Sequence, residues 1–365
     1  MKAGSRVFGL DLMRALAILF VVVAHSQRQI QVVFPDFRPY TKVDGVTLFF
    51  VLSGFLIGRI IFRAIEGRNF SSLIRFYNRR WWRTLPNYYF FFALHIVFYY
   101  VFSIQENIDW RGLLFLQNVN SPPEGFFRES WSLAVEEWFY LVFPFIWWLL
   151  HKKEAKPKLA TYLTYTLIML LLAWAYKAWF FASHSIPEGS ACTNCRNYLE
   201  IYVRLPVVFR FSSILWGVLL SIVFMYKRKW FDKGWPWFLS AVFVWVLGEW
   251  AFHQIDPVTK TIWKLEFKSL LAALFIAAAY SLPHPNIRLS NVVNRISVYS
   301  YSIYLINLPF LAIWRWLILD KLQIESAFGV LLSLPLAWLL IYALASVTYH
   351  KLEKPLTQLR MNESS

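Results

Sequence analysis

About ten long apolar stretches follow one another along this chain, and they limit the kind of fold it can adopt. A helix of about 20 residues, rising ~1.5 Å per residue, crosses the roughly 30 Å hydrocarbon core of a bilayer. The stretches lie at approximately 8–27, 44–63, 84–103, 132–150, 159–182, 206–226, 236–253, 265–282, 298–319 and 327–349. The sequence therefore predicts an all-α fold, a polytopic membrane helical bundle of about ten transmembrane helices.

The composition agrees with a membrane protein of many spans. Of the 365 residues, 58% are hydrophobic, 20% are aromatic and only 16% are charged, which is abnormal for a soluble domain. We expect residues 1–350 to form one membrane-embedded domain and residues 351–365 to form a short cytoplasmic tail. We expect the first stretch to be retained rather than cleaved as a signal peptide, because it is long and contains Asp11 and Arg14.

The positive charge of the chain has a topological explanation. The formal net charge is +16, and with the amino terminus inside, 22 lysines and arginines fall at inner connections against 10 at outer ones. Because Lys and Arg gather in cytoplasmic loops, this bias predicts that both termini are cytoplasmic. It also accounts for much of the charge without nucleic acid, which we do not expect as a partner.

The first stretch carries three ionisable residues that an apolar helix normally excludes: Asp11, Arg14 and His25. At about 100° per residue, Arg14 and His25 differ by only about 20° around a helix, so they share a face, yet they lie roughly 16 Å apart along it. Asp11 precedes Arg14 by three residues and is placed to pair with it. Two interpretations stay open for this helix alone: a functional face, or an arginine that extends to the headgroups with a histidine at the far interface.

The second stretch contains glycines at which helices can approach closely, Gly45, Gly54 and Gly58. Ser53 lies among them without the Gly-x-Ser-x-Gly context of a nucleophile. We therefore interpret Ser53 as a packing or hydrogen-bonding residue.

A run of arginines precedes the third stretch. Arg75, Arg79 and Arg83 recur every four residues and share one side of a helix, and Arg80 adds a fourth charge nearby. The positive-inside bias explains such a run by itself. The alternative is an anion site at the cytosolic face, since a guanidinium group binds phosphate in a bidentate manner. A polyphosphate such as coenzyme A would fit it.

Two adjacent carboxylates, Glu136 and Glu137, lie near the start of the fourth stretch. Ser132, Glu136 and Tyr140 are four residues apart and share a face, while Glu137 points elsewhere. Carboxylates at this place are costly unless they pair or carry out chemistry. Candidate partners are Arg14, Arg210 and a sugar hydroxyl. A structural ion pair and a substrate contact remain equal alternatives.

We expect no metal site. The two cysteines, Cys192 and Cys195, fall in an outer loop, where a Cys-x-x-Cys pair could form a small disulfide. Zinc needs four ligands, and only His184 lies near them in sequence. His95, inside the third stretch, is interpreted as a packed or hydrogen-bonded histidine.

Several segments, in order along the chain, resemble the acyltransferase 3 family of integral membrane O-acyltransferases. WSLAVEEWFY at 131–140 closely matches the family's WSLxxEExFY. The other segments are Arg14 followed after ten residues by His25, FFVLSGFLI at 49–57, Arg79, Arg80 and Arg83 with Pro86, RFSSILWG at 210–217, YSIYLIN at 301–307 and EKP at 353–355. The resemblance covers nearly the whole chain, and the ordered set is specific.

Three positions depart from the family pattern. Thr47 and Ser212 stand where the family often has Asp, and Asn307 stands where it often has His. These differences bear on which acceptor and which subgroup of the family the resemblance implies, more than on the binding of the acyl donor.

The resemblance implies a multi-pass acyltransferase of the bacterial cytoplasmic (inner) membrane. Such an enzyme moves an acyl group from cytosolic acyl-CoA to a hydroxyl of an extracytoplasmic glycan. The acyl group is acetyl by family frequency, from acetyl-CoA, and succinyl stays open. His25 would act as general base on the acceptor hydroxyl, or as a nucleophile through an acyl-histidine.

The other residues of the resemblance take roles around His25. Arg14 would hold the donor or polarise the thioester carbonyl, and Glu136 would orient His25 or the acceptor. The residues that would bind the phosphates of CoA are Arg75, Arg79, Arg80 and Arg83. The residues that would contact substrate are Ser132, Glu137 and Arg210.

Two other classes of protein compete with an enzyme. A membrane transporter or flippase for a small anionic or sugar substrate also places charges inside spans, but it predicts broken helices at matching places in two halves, and the sequence shows no internal repeat. A structural or signalling protein gives no reason for the arginine run, the charges of the first helix and the paired carboxylates to occur together.

Overall fold

The computed structural model describes residues 6–37, 44–65, 70–102, 107–123, 125–150, 159–183, 202–255, 257–324 and 326–362. Every regular element within these ranges is helical, which confirms the predicted all-α class. The α-helices are α1 Phe8–His25, α2 Gln27–Ile30, α3 Gly45–Ile65, α4 Phe70–Val101, α5 Trp131–Leu150, α6 Leu159–Ser183, α7 Val207–Tyr226, α8 Trp235–His253, α9 Pro257–Tyr280, α10 Ile287–Arg315, α11 Ala327–Thr348 and α12 Lys354–Asn362. The predicted Cys192–Cys195 pair lies outside the described residues.

Short helical turns complete the described chain. The 3₁₀ turns are Trp110–Leu114, Arg128–Ser130 and Arg228–Phe231. The π-helical segments Trp316–Lys321 and Tyr349–Glu353 continue α10 and α11. Helix α12 begins directly after the second π-segment, so most of the predicted polar tail is helical.

Eight helices of the described chain are long and apolar enough to cross a membrane: α1, α3, α5, α6, α7, α8, α10 and α11. This confirms a protein with multiple candidate spans. Helices α4 and α9 cover the two other predicted stretches and have 32 and 24 residues, but they are not among the eight long apolar helices. The count of ten spans and the cytoplasmic termini therefore stay predictions.

The chain forms two compact units, and the first unit comprises residues 1–49, 82–91 and 282–365. In this unit α1 and α10 run side by side in the same direction. Phe8 and Ala15 pack with Val293, and farther along the pair His25 contacts Asn307. A Cβ atom on Gly45 would lie 2.2 Å from the backbone oxygen of Ala17, so the start of α3 also touches α1.

The second unit comprises residues 50–81 and 92–281, and α7 packs in it against α5, α6 and α9. Helices α3 and α7 meet backbone to backbone. A Cβ atom on Gly54 would lie 2.0 Å from the oxygen of Ile214, and one on Gly217 would lie 2.0 Å from the oxygen of Val51. The predicted close approach at the glycines of the second stretch is confirmed.

Candidate active site

His25 is the last residue of α1, where it contacts the side chain of Asn307 in α10 through its Nδ1 atom. Asn307 is fully buried. Its amide nitrogen donates hydrogen bonds to the backbone oxygens of Ile303, at 2.9 Å, and Tyr304, at 2.7 Å. His25 therefore contacts a side chain that is itself held by the preceding turn of α10.

The backbone around His25 is fixed by contacts to two other helices of the first unit. Ser26 is fully buried and accepts a hydrogen bond from Trp338 Nε1 of α11 at 3.0 Å. Gln29 donates from Nε2 to the oxygen of Leu311 at 3.2 Å. Because these contacts follow His25 directly in sequence, they hold the end of α1 in place.

Arg14 lies near the other end of the same helix, in a polar cluster with Asp11. Asp11 accepts two hydrogen bonds from Arg6, at 2.9 and 3.0 Å, and one from Ser297 of α10 at 2.7 Å. Arg14 approaches Asp11 at 3.9 Å and donates to Ser297 at 3.5 Å. The predicted Asp11–Arg14 pair is present, but Arg6 forms a shorter, bidentate pair with Asp11 that the helical spacing did not predict.

Glu136 lies in the second unit, and its partner there is Arg80. Arg80 donates from Nη2 to Glu136 Oε2 at 3.1 Å, and its guanidinium lies 3.9 Å from the centre of the Tyr140 ring. The Tyr140 hydroxyl donates to the same carboxylate oxygen at 3.2 Å and also contacts Ser53. The interpretation of Ser53 as a hydrogen-bonding residue is confirmed. Arg80 and Glu136, predicted separately as a phosphate ligand and a catalytic group, thus form one network.

The pairing of α4 with α5 places Arg80 away from the end of the helices. The two helices run antiparallel, since the Phe70 ring contacts the Trp148 ring and Tyr77 donates to the oxygen of Leu141. Arg80 meets Glu136, which is 12 residues before Trp148, or ~18 Å along α5. Arg80 therefore lies well inside the helix pair, whereas the sequence analysis counts it among the basic residues of the inner connections.

The remaining arginines of the run are exposed on α4. These residues are Arg75, Arg79 and Arg83. Arg75 donates to Ser72 at 3.0 Å. Because α4 is one continuous helix, their four-residue spacing puts them on one side of it, as the sequence predicts.

The other predicted substrate contacts are buried. Ser132 is 5% exposed, Glu137 8% and Arg210 0%. The guanidinium of Arg210 lies 4.9 Å from the centre of the Phe50 ring and 5.9 Å from that of Trp131. Their roles toward substrate stay predictions.

A half-buried carboxylate of the first unit, Glu353, belongs to the EKP segment. Glu353 ends the π-helical turn of α11 and accepts hydrogen bonds from Ser302 at 3.0 Å and Asn87 at 3.5 Å. Glu353 thus joins α11 to α10 and α4, which gives this segment of the resemblance a structural basis.

A further buried ion pair, which the sequence did not predict, lies among α6, α7 and α9. Lys177 is fully buried and its Nζ atom lies 2.6 Å from Glu266 Oε1. Ser212 donates to the same oxygen at 2.6 Å, and Trp216 donates to Oε2 at 3.1 Å. Ser212 is one of the positions where the family often has Asp, and here a carboxylate from α9 contacts it. The only sequence signal was the presence of charges in an apolar stretch.

His95 is a buried histidine outside the predicted site. Its Nε2 atom lies 3.1 Å from Glu129 Oε1, and its ring lies 4.3 Å from that of Phe127. The interpretation of His95 as a packed or hydrogen-bonded histidine is confirmed by its burial and its ring contact. Among the described residues, no group of three His, Cys, Asp or Glu side chains could hold a metal ion.

Comparison with known sequences identifies the class of protein. The family model described as an acyltransferase domain matches residues 7–346. The chain therefore belongs to the acyltransferase 3 family. This membership confirms the predicted enzyme class, an O-acetyltransferase-like acyltransferase.

Individual relatives match parts of the chain. A protein of uncharacterised function from Haemophilus influenzae is 35% identical over 203 residues, which cover 50% of this chain and 76% of that protein. The O-acetyltransferase OatA of Staphylococcus aureus is 30% identical over 178 residues, 44% of this chain and 28% of that protein. The peptidoglycan O-acetyltransferase OatA of Listeria monocytogenes is 28% identical over 186 residues, 45% of this chain and 28% of that protein. The chain thus spans less than a third of the length of either OatA. No solved structure matches the chain.

Proposed function

We propose that this protein transfers an acyl group, acetyl in the first place, from acyl-CoA on the cytosolic side of the bacterial cytoplasmic membrane to a hydroxyl of an extracytoplasmic glycan. The single observation that carries the proposal is the anchored His25 at the end of a candidate membrane helix, in a chain that matches the acyltransferase family from residue 7 to residue 346. The O-acetyltransferase names of two relatives support acetyl transfer to oxygen.

His25 acts as general base in the proposed reaction. It takes the proton of the acceptor hydroxyl while that oxygen attacks the thioester carbonyl, and the imidazolium then returns a proton to the departing CoA sulfur. The carbonyl carbon gains a bond to the acceptor oxygen and loses its bond to sulfur, so an ester and free CoA result. Proton transfer by a positioned side chain typically accelerates a reaction by about 10²–10⁴-fold.

We assign different arginines to the phosphates of acyl-CoA and to its thioester. We assign the phosphates of CoA to Arg75, Arg79 and Arg83, because these side chains are exposed on one side of α4 and guanidinium groups suit phosphate. Arg80 supports this helix through its ion pair with Glu136. Arg14 holds the donor or stabilises the negative charge that develops on the thioester oxygen.

The acceptor side is assigned to the start of α5 and to α7. Glu136 presents a carboxylate whose Oε2 atom is oriented by Arg80 and Tyr140, and we assign it the orientation of an acceptor hydroxyl. Ser132, Glu137 and Arg210 shape the surroundings of that position. The proposed reaction needs no metal ion.

The test is transfer of labelled acetyl groups by the purified protein in proteoliposomes. Acetyl-CoA labelled in the acetyl group is supplied on one face, and label in a glycan acceptor, together with free CoA, is measured for the wild type, His25→Gln and His350→Gln. His350 is an exposed histidine bonded to a backbone oxygen of α11, so it is the matched control. We expect His25→Gln to lose transfer at equal membrane levels while His350→Gln keeps it. Full activity of His25→Gln would overturn the mechanism.

A second measurement tests the substrates in cells. Mass spectrometry of surface glycans, with and without the gene, should show the loss of one acyl mass, which identifies acetyl or succinyl directly. Unchanged glycans together with CoA-independent movement of a substrate across vesicles would favour a transporter instead.

A further inference from the structure

The hydrogen bonds of Asn307 fix which of its side-chain atoms faces His25. Asn307 Nδ2 lies 2.9 Å from the oxygen of Ile303 and 2.7 Å from the oxygen of Tyr304. An amide nitrogen has two hydrogens and no acceptor capacity, so these two carbonyls use both of its donors. A flipped amide would place its oxygen against two backbone oxygens in a fully buried position. The atom presented to the histidine is therefore the amide oxygen.

An amide oxygen only accepts hydrogen bonds, and it contacts the Nδ1 atom of His25. That nitrogen must then carry the hydrogen. A neutral imidazole has one protonated nitrogen and one with a lone pair, so the lone pair of neutral His25 resides on Nε2.

We propose that Asn307 is a positioning residue that holds neutral His25 in its Nδ1–H tautomer and so makes Nε2 the atom that receives the acceptor's proton. The tautomer follows from the hydrogen bonds of Asn307 and its contact with His25. The statement about proton transfer rests on the proposed function.

Asn307 suits this task in both protonation states of the ring. After His25 takes a proton at Nε2, Nδ1 still donates to the same oxygen, so the contact does not have to rearrange during the reaction. The amide itself does not bind the proton in competition with the base. A neutral imidazole at position 307 can also donate through one nitrogen and accept through the other, which explains how this chain can carry Asn where the family often has His.

Nuclear magnetic resonance tests the tautomer without any assay of activity. Protein labelled with ¹³C and ¹⁵N in its histidine rings is placed in nanodiscs at alkaline pH, and the His25 signals are assigned by their loss in His25→Gln. We expect the Nδ1–H tautomer in the wild type and its loss or mixing in Asn307→Leu. An Nε2–H tautomer in the wild type, or an unchanged Nδ1–H tautomer in Asn307→Leu, would overturn the inference.

Kinetics test the consequence for proton transfer. We expect Asn307→Leu to lower kcat by about 10²-fold, the lower end of what general base catalysis contributes, with little change in the KM for acetyl-CoA. Asn307→His should recover most of kcat, and it remains informative if Asn307→Leu fails to fold. Asn291→Leu, an exposed asparagine of the same helix, is the control and should behave like the wild type.

Different results would contradict the role of Asn307 and the proposed function. An increased KM with unchanged kcat in Asn307→Leu, or no recovery in a folded Asn307→His, would mean that Asn307 does not act through His25. If His25→Gln keeps its transferase activity while the wild-type ring is an Nδ1–H tautomer, the proposed function is wrong and the tautomer assignment stands.

Discussion

Removing the charge of Lys177 should strongly destabilise the second unit, because the carboxylate of Glu266 then stays buried without its cation. Lys177 and Glu266 lie 2.6 Å apart, with 0% and 7% of their side chains exposed. Breaking a buried ion pair by removing one partner costs about 3–5 kcal/mol, because the other charge stays buried. Glu266 would keep the donors Ser212 and Trp216, so we expect Lys177→Met to cost about 3 kcal/mol, the lower end of that range.

Replacing both partners should recover most of this loss. Lys177→Met combined with Glu266→Leu leaves no buried charge, and apolar replacement of a buried pair is often neutral or stabilising. Ser212 and Trp216 would lose their acceptor, at about 1 kcal/mol for each hydrogen bond. The double variant should therefore be less stable than the wild type by about 2 kcal/mol or less.

Reversible unfolding in mixed micelles, followed by tryptophan fluorescence, measures these free energies. The control is Asp232→Asn, which breaks the exposed pair between Arg228 and Asp232, 2.9 Å apart with 35% and 62% of their side chains exposed. Exposed pairs contribute about 0–1 kcal/mol. A cost of Lys177→Met as small as that of the control would refute the reasoning, and so would a double variant that shows the sum of the two single losses.

Two further predictions concern packing and donor binding. Gly54→Ala should reduce the yield of folded protein by size-exclusion chromatography, because its Cβ would lie 2.0 Å from the oxygen of Ile214 and the backbones of α3 and α7 would have to separate. Arg79→Ala should raise the KM for acetyl-CoA several-fold with little change in kcat. One charge-assisted phosphate contact contributes about 1.5–3 kcal/mol when buried and less when exposed. With an acetyl-CoA analogue that lacks the 3′-phosphate, the KM values of the wild type and Arg79→Ala should differ less.

Each of these two variants has a matched control. Gly329→Ala places a Cβ near the side chains of Ile324 and Ser326 rather than near a helix backbone, and it should fold normally. Lys321→Ala removes a charge that the sequence places on the opposite side of the membrane, and it should leave the KM for acetyl-CoA unchanged. Equal effects of variant and control would contradict the respective argument.

The first helix shows how much of the site the sequence could predict. Its apolar run from Phe8 determines the helix that ends at His25, and the helical repeat places Arg14 on the same face. Local periodicity is enough for these statements because they involve one element. The contact of His25 with Asn307 spans 282 positions in sequence, so it required the parallel packing of α1 on α10, which no local pattern specifies.

The partner of Glu136 shows what the sequence alone could not predict. The sequence offered Arg14 or Arg210 as partners, but the structure pairs Glu136 with Arg80. That choice depends on the register of α4 against α5, which is set by many contacts such as the one between Phe70 and Trp148. Charge type and spacing predicted that Glu136 needs a partner, but only the packing of the two helices selects it.

The register of α4 against α5 leads to a last prediction about two neighbouring residues of one motif. Arg79 and Arg80 should respond differently to replacement by lysine. Arg79 is exposed, so the flexible ammonium group of Arg79→Lys can still reach a phosphate, and stability should change by less than about 0.5 kcal/mol. Arg80 bonds Glu136 while its guanidinium lies over the Tyr140 ring at 3.9 Å, and a lysine cannot reproduce both contacts at once.

We therefore expect Arg80→Lys to lower the free energy of unfolding by about 1–2 kcal/mol, the range of a desolvated cation–π contact together with a weakened hydrogen bond. Transferase activity should fall with it, because the carboxylate of Glu136 loses its fixed orientation, and increasing acetyl-CoA should not restore the rate. If Arg80 were only a phosphate ligand, both lysine variants would show the same small increase in KM and unchanged stability. That result would remove Arg80 from the network around Glu136 and return it to the donor site.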